Sequence, residues 1–198
     1  MMDKRNEIAI NLRSRQLQPP YKILIVGTTG CGKTTIATML SKKLSLPHYE
    51  LDAFHWKPNW QTNSHEEFRS HIVDVVSLGE WVVDGNYRSF RDEIWPHATN
   101  LIWLDYPMTI ILFRIIKRSI RRLAQHEILW NGNITNFKRE FIGHDSILYD
   151  SINTYLFRKK DYNLAINDKK FAHLNVIKLT SPKDTKIWIQ SIETSNNK

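Results

Sequence analysis

The sequence has 198 residues, of which 41% are hydrophobic and 11% aromatic, seven of them tryptophan. This composition suits one globular unit with a sizeable core, and excludes disorder over most of the length. The formal net charge is +8, which admits nucleic acid, an anionic surface or a phosphorylated ligand as partner. The single cysteine, Cys31, rules out an internal disulfide and points to a reducing, cytoplasmic setting. No apolar run reaches the roughly 18 residues of a membrane-spanning helix, and the N-terminal stretch lacks the apolar core of a secretory signal.

The charge is concentrated. Pro107 to Lys160 holds ten Lys/Arg against four Asp/Glu. A basic segment that closes over polyphosphate accounts for this as well as a DNA-facing surface does.

Residues 1–20 read as an extension ending at the helix-breaking Pro19-Pro20. Short apolar strands then alternate with helices. Lys22–Val26 is predicted to be a buried strand and Lys33–Leu44 a helix with Ile36, Ala37, Leu40 and Leu44 on one face. His48–Leu51 is a second strand. Ser64–Ser77 is a helix with a capping box formed by Ser64 and Glu67. Trp81–Val83 and Leu101–Leu104 are further strands. Pro107–Leu123 is a long helix with proline in its first turn. Leu174–Leu179 is the fifth strand, and Ser181–Glu193 a last helix capped by Ser181. The alternation predicts an α/β fold with a parallel sheet. Residues 21–198 read as one domain, and 124–168 as an insertion over the sheet edge.

The strongest motif is Gly27-Thr28-Thr29-Gly30-Cys31-Gly32-Lys33-Thr34, which satisfies G-x-x-x-x-G-K-[ST] between a strand and a helix. Glycines let backbone N–H groups converge on phosphate oxygens, and the helix N-terminus adds positive potential. Lys33 is expected to reach the β- and γ-phosphates of ATP, and Thr34 to ligate Mg²⁺. Thr35 continues the helix and can touch the α-phosphate. Cys31 reads either as an exposed turn residue or as a thiol activated by the helix N-terminus.

Sites in open α/β sheets lie at the carboxyl ends of strands. Asp84, in WVVDGNYR, reads as a Walker B carboxylate holding Mg²⁺ with Thr34. Asp52, in LDAFHWKPNW, reads as the residue that orients or deprotonates an acceptor hydroxyl. Helix capping and the helix dipole suffice to explain Asp105.

Arg114, Arg118, Arg121 and Arg122 fall on one side of the long helix. Leu112, Ile115, Ile116, Ile120 and Leu123 fall on the other, expected to pack inward. The guanidinium stripe reads as an anion site; Arg118 and Arg122 are the candidate catalytic pair and Arg121 a candidate substrate ligand. Arg158-Lys159-Lys160 reads as a second lid contact or as a solvated helix end. Arg88 is a candidate to grip charge on the acceptor. Trp56, Trp60 and Tyr87 either stack on the acceptor or belong to the core. His55 reads as structural.

Taken together, GTTGCGKT, LDAFHWKPNW, WVVDGNYR, IWLDYP with a following RxxxR, and LWNGNITNF resemble the adenylate-kinase-related P-loop proteins of the DNA-topology-modulation (FlaR-like) group, over about residues 21–180. The resemblance implies a nucleoside/nucleotide-kinase-like P-loop fold, with a five-stranded parallel core, helices on both faces and an arginine-rich helical lid over about 118–165. It places Asp84, Gly85 and Arg88 on the Asp-Gly-x-x-Arg segment of nucleoside monophosphate kinases, and Arg118, Arg121 and Arg122 on the lid arginines. The Thr-Gly-Asp and Leu-Arg acceptor signature of adenylate kinases is replaced by LDAFHWKPNW. That replacement points away from AMP and towards a hydroxyl acceptor with Asp52 as base. The expected activity is transfer of the γ-phosphoryl group of ATP, with Mg²⁺, to a small acceptor. The alternative is a nucleotide-dependent nucleic-acid binder or regulatory NTPase, for which the sequence offers no helix-turn-helix, zinc set or RNA-binding signature.

Overall fold

The computed structural model describes residues 15–192. Apolar residues alternate in opposite directions along each strand, and both directions are covered. Ile23 and Ile25 of β1 (Lys22–Gly27) enter one core, Leu24 and Val26 the other. Burial on both faces explains why the strands read as continuous apolar runs.

The elements follow the expected alternation. After β1 come α1 (Lys33–Leu44), β2 (His48–Glu50), α2 (Leu51–His55), α3 (His65–Ser77), β3 (Trp81–Asp84), α4 (Arg91–Ile94) and β4 (Asn100–Leu104). Then come α5 (Met108–Gln125), α6 (Phe137–Phe141), α7 (Ile147–Ile166), β5 (Asn175–Leu179) and α8 (Pro182–Ser191). The five strands among the described residues are all parallel, in the order β2-β3-β1-β4-β5. Helices α3, α4 and α7 contribute to one core; α1, α5 and α8 contribute to the other. The Ser64–Glu67 capping box forms, as does the Ser181 cap with Pro182 behind it. Glu193 and residues 1–14 lie outside the described residues. Arg15 pairs with Asp184 at 2.7 Å and its carbonyl accepts from the Trp188 indole at 2.8 Å, so the described end of the extension is fastened to α8.

Three expectations are corrected. Strand β2 stops at Glu50, one residue short of the expected Leu51, and Asp52 follows it in the first turn of a short helix, α2. Asp105 caps no helix. The N-cap of α5 is Pro107, without a side-chain bond, and Asp105 is a buried counter-ion to Lys178 at 2.9 Å and Lys159 at 3.1 Å.

The third concerns the faces of α5. Its buried residues are Ile111, Ile115 and Ser119, a stripe that adjoins Arg118 and Arg122 around the helix. Of the residues expected to pack inward, Ile115 is buried and Leu112 and Leu123 are half-buried, but Ile116 and Ile120 are 42% and 58% exposed. Arg114, Arg118 and Arg122 are therefore partly buried and Arg121 is 56% exposed in its side chain, and all four line a cavity over the phosphate loop. No helix among the described residues is long and apolar enough to cross a membrane.

Candidate active site

The loop Gly27–Thr34 leaves the central strand and enters α1. Gly27 has φ +146°, and a Cβ there would stand 2.6 Å from the Leu104 carbonyl oxygen. Gly30 has φ +85°, and a Cβ would stand 2.5 Å from Ile115. Only glycine lets the chain turn this tightly under α5. The N-terminus of α1 has no side-chain cap and no acidic residue in its first turn, which leaves its N–H groups for an anion.

The lysine and its carbonyl are preset. Lys33 Nζ donates to the Gly27 carbonyl at 3.0 Å. Asn86 holds the same glycine from behind. Its Oδ1 accepts from Gly27 N at 3.2 Å, and its Nδ2 donates to the Gly27 carbonyl. The Tyr162 hydroxyl of α7 donates to Asn86 Oδ1 at 2.8 Å.

Thr34 Oγ1 donates to Asp84 Oδ2 at 2.6 Å, and His48 Nε2 lies 3.1 Å from Asp84 Oδ1. A hydroxyl and a carboxylate meeting beside a glycine cradle form a donor set suited to Mg²⁺ on a nucleoside triphosphate. Both expected metal residues are thus brought together.

Cys31 is neither exposed nor activated. It is 0% exposed, and burial raises its thiol above the ordinary value despite nearby Lys33. Both of its expected roles are set aside, because the side chain packs into the core beneath Gly27.

A cavity of about 1130 Å³ opens over this loop. Thr29, Gly30, Gly32, Lys33, Thr34 and Thr35 form its floor. Arg114, Lys117, Arg118, Arg121 and Arg122 of α5 form one flank, and Pro182, Thr185, Lys186 and Ile189 of α8 another. The far end is closed by Glu50, Asp52, Leu129 and Trp130. Its size exceeds the roughly 300–1,000 Å³ of a pocket for one drug-sized ligand.

The arginines differ in their partners. Arg121 and Arg122 both pair with Glu127, at 2.9 and 3.4 Å. Arg114 donates to the Cys31 carbonyl at 2.6 Å. Arg118 Nε is buried without a hydrogen-bond partner among the described residues. Burial and then Arg122 lower the Arg118 pKa to about 10, so it stays a cation at neutral pH. Asp52 Oδ1 accepts from the Tyr87 hydroxyl at 2.7 Å. Burial and Asp52 push the Tyr87 pKa up, which keeps the phenol neutral and donating.

Other expected site residues lie apart from this cavity. Arg88 is 64% exposed in its side chain, pairs with Asp161 at 3.2 Å, and lines a recess of about 200 Å³ with Asn86, Arg91 and Arg158. Trp56 and Trp60 stack with Arg139, whose guanidinium lies 4.8 and 3.9 Å from their ring centres. Arg158 approaches the phosphate loop, 3.4 Å from Thr29 Oγ1, while Lys159 serves Asp105.

Sequence reasoning missed Glu50, Asn86 and Trp130, along with the stitching at the cavity's far end. The segments 56–62 and 128–134 each close with a short antiparallel bridge around a left-handed asparagine, Asn59 or Asn131. Asn131 donates to the carbonyls of Ala53 and Trp56. Asn133 accepts from Trp60 N at 2.8 Å and donates to the Lys57 carbonyl at 2.9 Å. Trp130 Nε1 donates to Glu50 Oε2 at 2.7 Å. Behind them the fully buried Glu140 accepts from Ser119 and Thr135, tying α5 to this loop. The signal available in the sequence was the asparagine-glycine turn in LWNGN.

The family model described as "ATPase family associated with various cellular activities (AAA)" matches residues 23–79. No curated protein sequence matches the chain. The fold is that of the P-loop NTPases. A shikimate kinase from Acinetobacter baumannii in complex with shikimate superposes with TM-score 0.52 at 14% identity, over 89% of this chain and 93% of that one. A shikimate kinase from Bacteroides thetaiotaomicron gives 0.51 at 14%, over 86% and 94%. A gluconokinase from Sinorhizobium meliloti 1021 gives 0.50 at 15%, over 86% and 92%. At these identities the likeness establishes the architecture.

Proposed function

We propose that this chain is an ATP- and Mg²⁺-dependent phosphotransferase that moves the γ-phosphoryl group to a hydroxyl of a small acceptor. The observation that carries this reading is that one cavity is lined both by the phosphate loop and by Asp52 and Arg118. An enzyme that only hydrolyses nucleotide needs no second chamber. The fold shared with small-molecule kinases supports the reading, as do the motifs of the adenylate-kinase-related topology-modulation group, to which we assign the chain.

Thr34 and Asp84 would hold Mg²⁺, which when bound neutralises charge on the phosphate oxygens. Lys33 exchanges the Gly27 carbonyl for phosphate, while Asn86 keeps that carbonyl satisfied. Tyr87 orients Asp52, which accepts the proton of the attacking hydroxyl as the new P–O bond forms and the bond to ADP breaks. Arg118, whose Nε has no hydrogen-bond partner among the described residues, faces the charge that develops on the transferred group. Arg121 and Arg122 stay with Glu127 and shape the flank. Segment 118–165 is the lid of this reading.

The second reading, a regulatory NTPase, draws on the match of residues 23–79 to the AAA model. ADP release from Mg·ATP separates the two. A small hydroxyl compound that accelerates it supports transfer, and a slow rate indifferent to every acceptor supports hydrolysis alone.

A further inference from the structure

Resting on that reading, the far end of the cavity says what kind of acceptor fits. Two of its polar groups are carboxylates on consecutive elements, while Glu127 is taken up by Arg121 and Arg122. Glu50 ends β2, and Asp52 opens α2. Each has one oxygen fixed from behind, Glu50 by the Trp130 indole and Asp52 by the Tyr87 phenol. The second oxygen of each takes no hydrogen bond among the described residues, and both residues line the cavity. Such oxygens accept hydrogen bonds from ligand hydroxyls and repel a ligand carboxylate or phosphate.

The neighbouring cations do not reverse this. Arg121 and Arg122 are engaged by Glu127, and Arg122 also lies 5.9 Å from the centre of the Trp130 ring. Arg118, the other arginine beside Asp52, is committed in this reading to the phosphoryl group in flight. The rest of the wall, Ile128, Leu129 and Trp130, is apolar, matched to the C–H surface of a ring. Trp130 is locked at its nitrogen and beside Arg122, so the wall is preformed.

We propose that the acceptor is an uncharged, hydroxyl-rich ring compound, a monosaccharide or cyclitol, held by Glu50 and Asp52 against Trp130. Glu50 and Trp130 set specificity by direct contact, and Asp52 receives the proton.

The test is ADP release from Mg·ATP by the full chain with three sets of acceptors: neutral monosaccharides and cyclitols, aldonic and other hydroxy acids of the same size, and nucleoside monophosphates. The neutral set is expected to stimulate turnover. Glu50→Gln should raise the KM of the best neutral acceptor about tenfold, the scale of one hydrogen bond to a charged group, with the KM for ATP unchanged. Trp130→Leu should do the same, and Trp130→Phe should recover part of the loss; this milder variant covers the case in which leucine disturbs the fold. Stimulation by the hydroxy acids or monophosphates instead would overturn the proposal and leave the phosphotransferase reading standing, as would an unchanged acceptor KM in Glu50→Gln. Indifference to all three sets would overturn both.

Discussion

The two ends of the cavity are built on different principles. The phosphate end is made of one contiguous stretch, Gly27–Thr34, and of backbone N–H groups that the strand–loop–helix geometry aims. The acceptor end is made of side chains from three separate stretches: Glu50 with Asp52, Arg118, and Trp130. These are brought together by long-range bonds through Asn131, Asn133 and Glu140. The first end can be reused unchanged for many acceptors. The second is where one acceptor is chosen, and its geometry depends on contacts between residues some eighty positions apart.

The sharpest way to break the contrast is at the phosphate end. Lys33→Ala should lower phosphoryl transfer about a thousandfold while leaving thermal unfolding cooperative, since the side chain bonds only a carbonyl that Asn86 also holds. Circular dichroism melting and ADP release check both halves. Asp84→Asn should cost about a hundredfold and raise the Mg²⁺ concentration for half-maximal rate, because one of two protein ligands loses its charge. A magnesium titration of the rate reads this directly. An unchanged magnesium dependence would remove Asp84 from the metal site.

Effects at the acceptor end should be smaller and of a different kind. Arg118→Met is expected to lower kcat by about a hundredfold with little change in the KM for ATP, the pattern of a group that acts on the transition state. A rise in that KM with kcat intact would instead place Arg118 in ground-state nucleotide binding. Replacing Asn131 and Asn133 together by alanine should cost about 1 kcal/mol each in stability by urea unfolding. It should also raise the acceptor KM while the affinity for a fluorescent ATP analogue stays put.

The smallest effect concerns Glu50, whose carboxyl burial raises above its ordinary value. A raised carboxyl pKa means that folding disfavours the ionised form. The penalty is fully present above the folded pKa and disappears below the ordinary one. Glu50→Gln should therefore raise the melting temperature at neutral pH and leave it nearly unchanged at about pH 3. A stability gain coupled to poorer acceptor binding would mark Glu50 as a residue kept for function.

The same contrast explains what the sequence revealed. The five strands, the principal helices, the capping box at Ser64 and the strand–loop–helix course of the phosphate loop are local patterns, and each is present, with ends that shift by a residue or two. The Thr34–Asp84 pair was legible because each belongs to a local pattern, Thr34 to the phosphate-loop motif after β1 and Asp84 to the end of the neighbouring strand β3. The acceptor wall was not. Trp56 and Trp60 adjoin Asp52 in sequence, yet the fold places them under Arg139, and the tryptophan in the cavity comes from residue 130. Helix α5 misled for a related reason: its arginines line a cavity, which periodicity alone cannot distinguish from solvent. Asn86 carried no signal beyond its place in WVVDGNYR, since its role depends on Tyr162 arriving from α7.

The central claim is transfer to an acceptor hydroxyl, and the direct measurement follows the γ-phosphoryl group of radiolabelled ATP with Mg²⁺ and the neutral hydroxyl compounds. The account predicts label in an organic phosphate ester, formed in step with ADP and absent with Lys33→Ala. Label recovered only as inorganic phosphate, at a rate no acceptor changes, would contradict it.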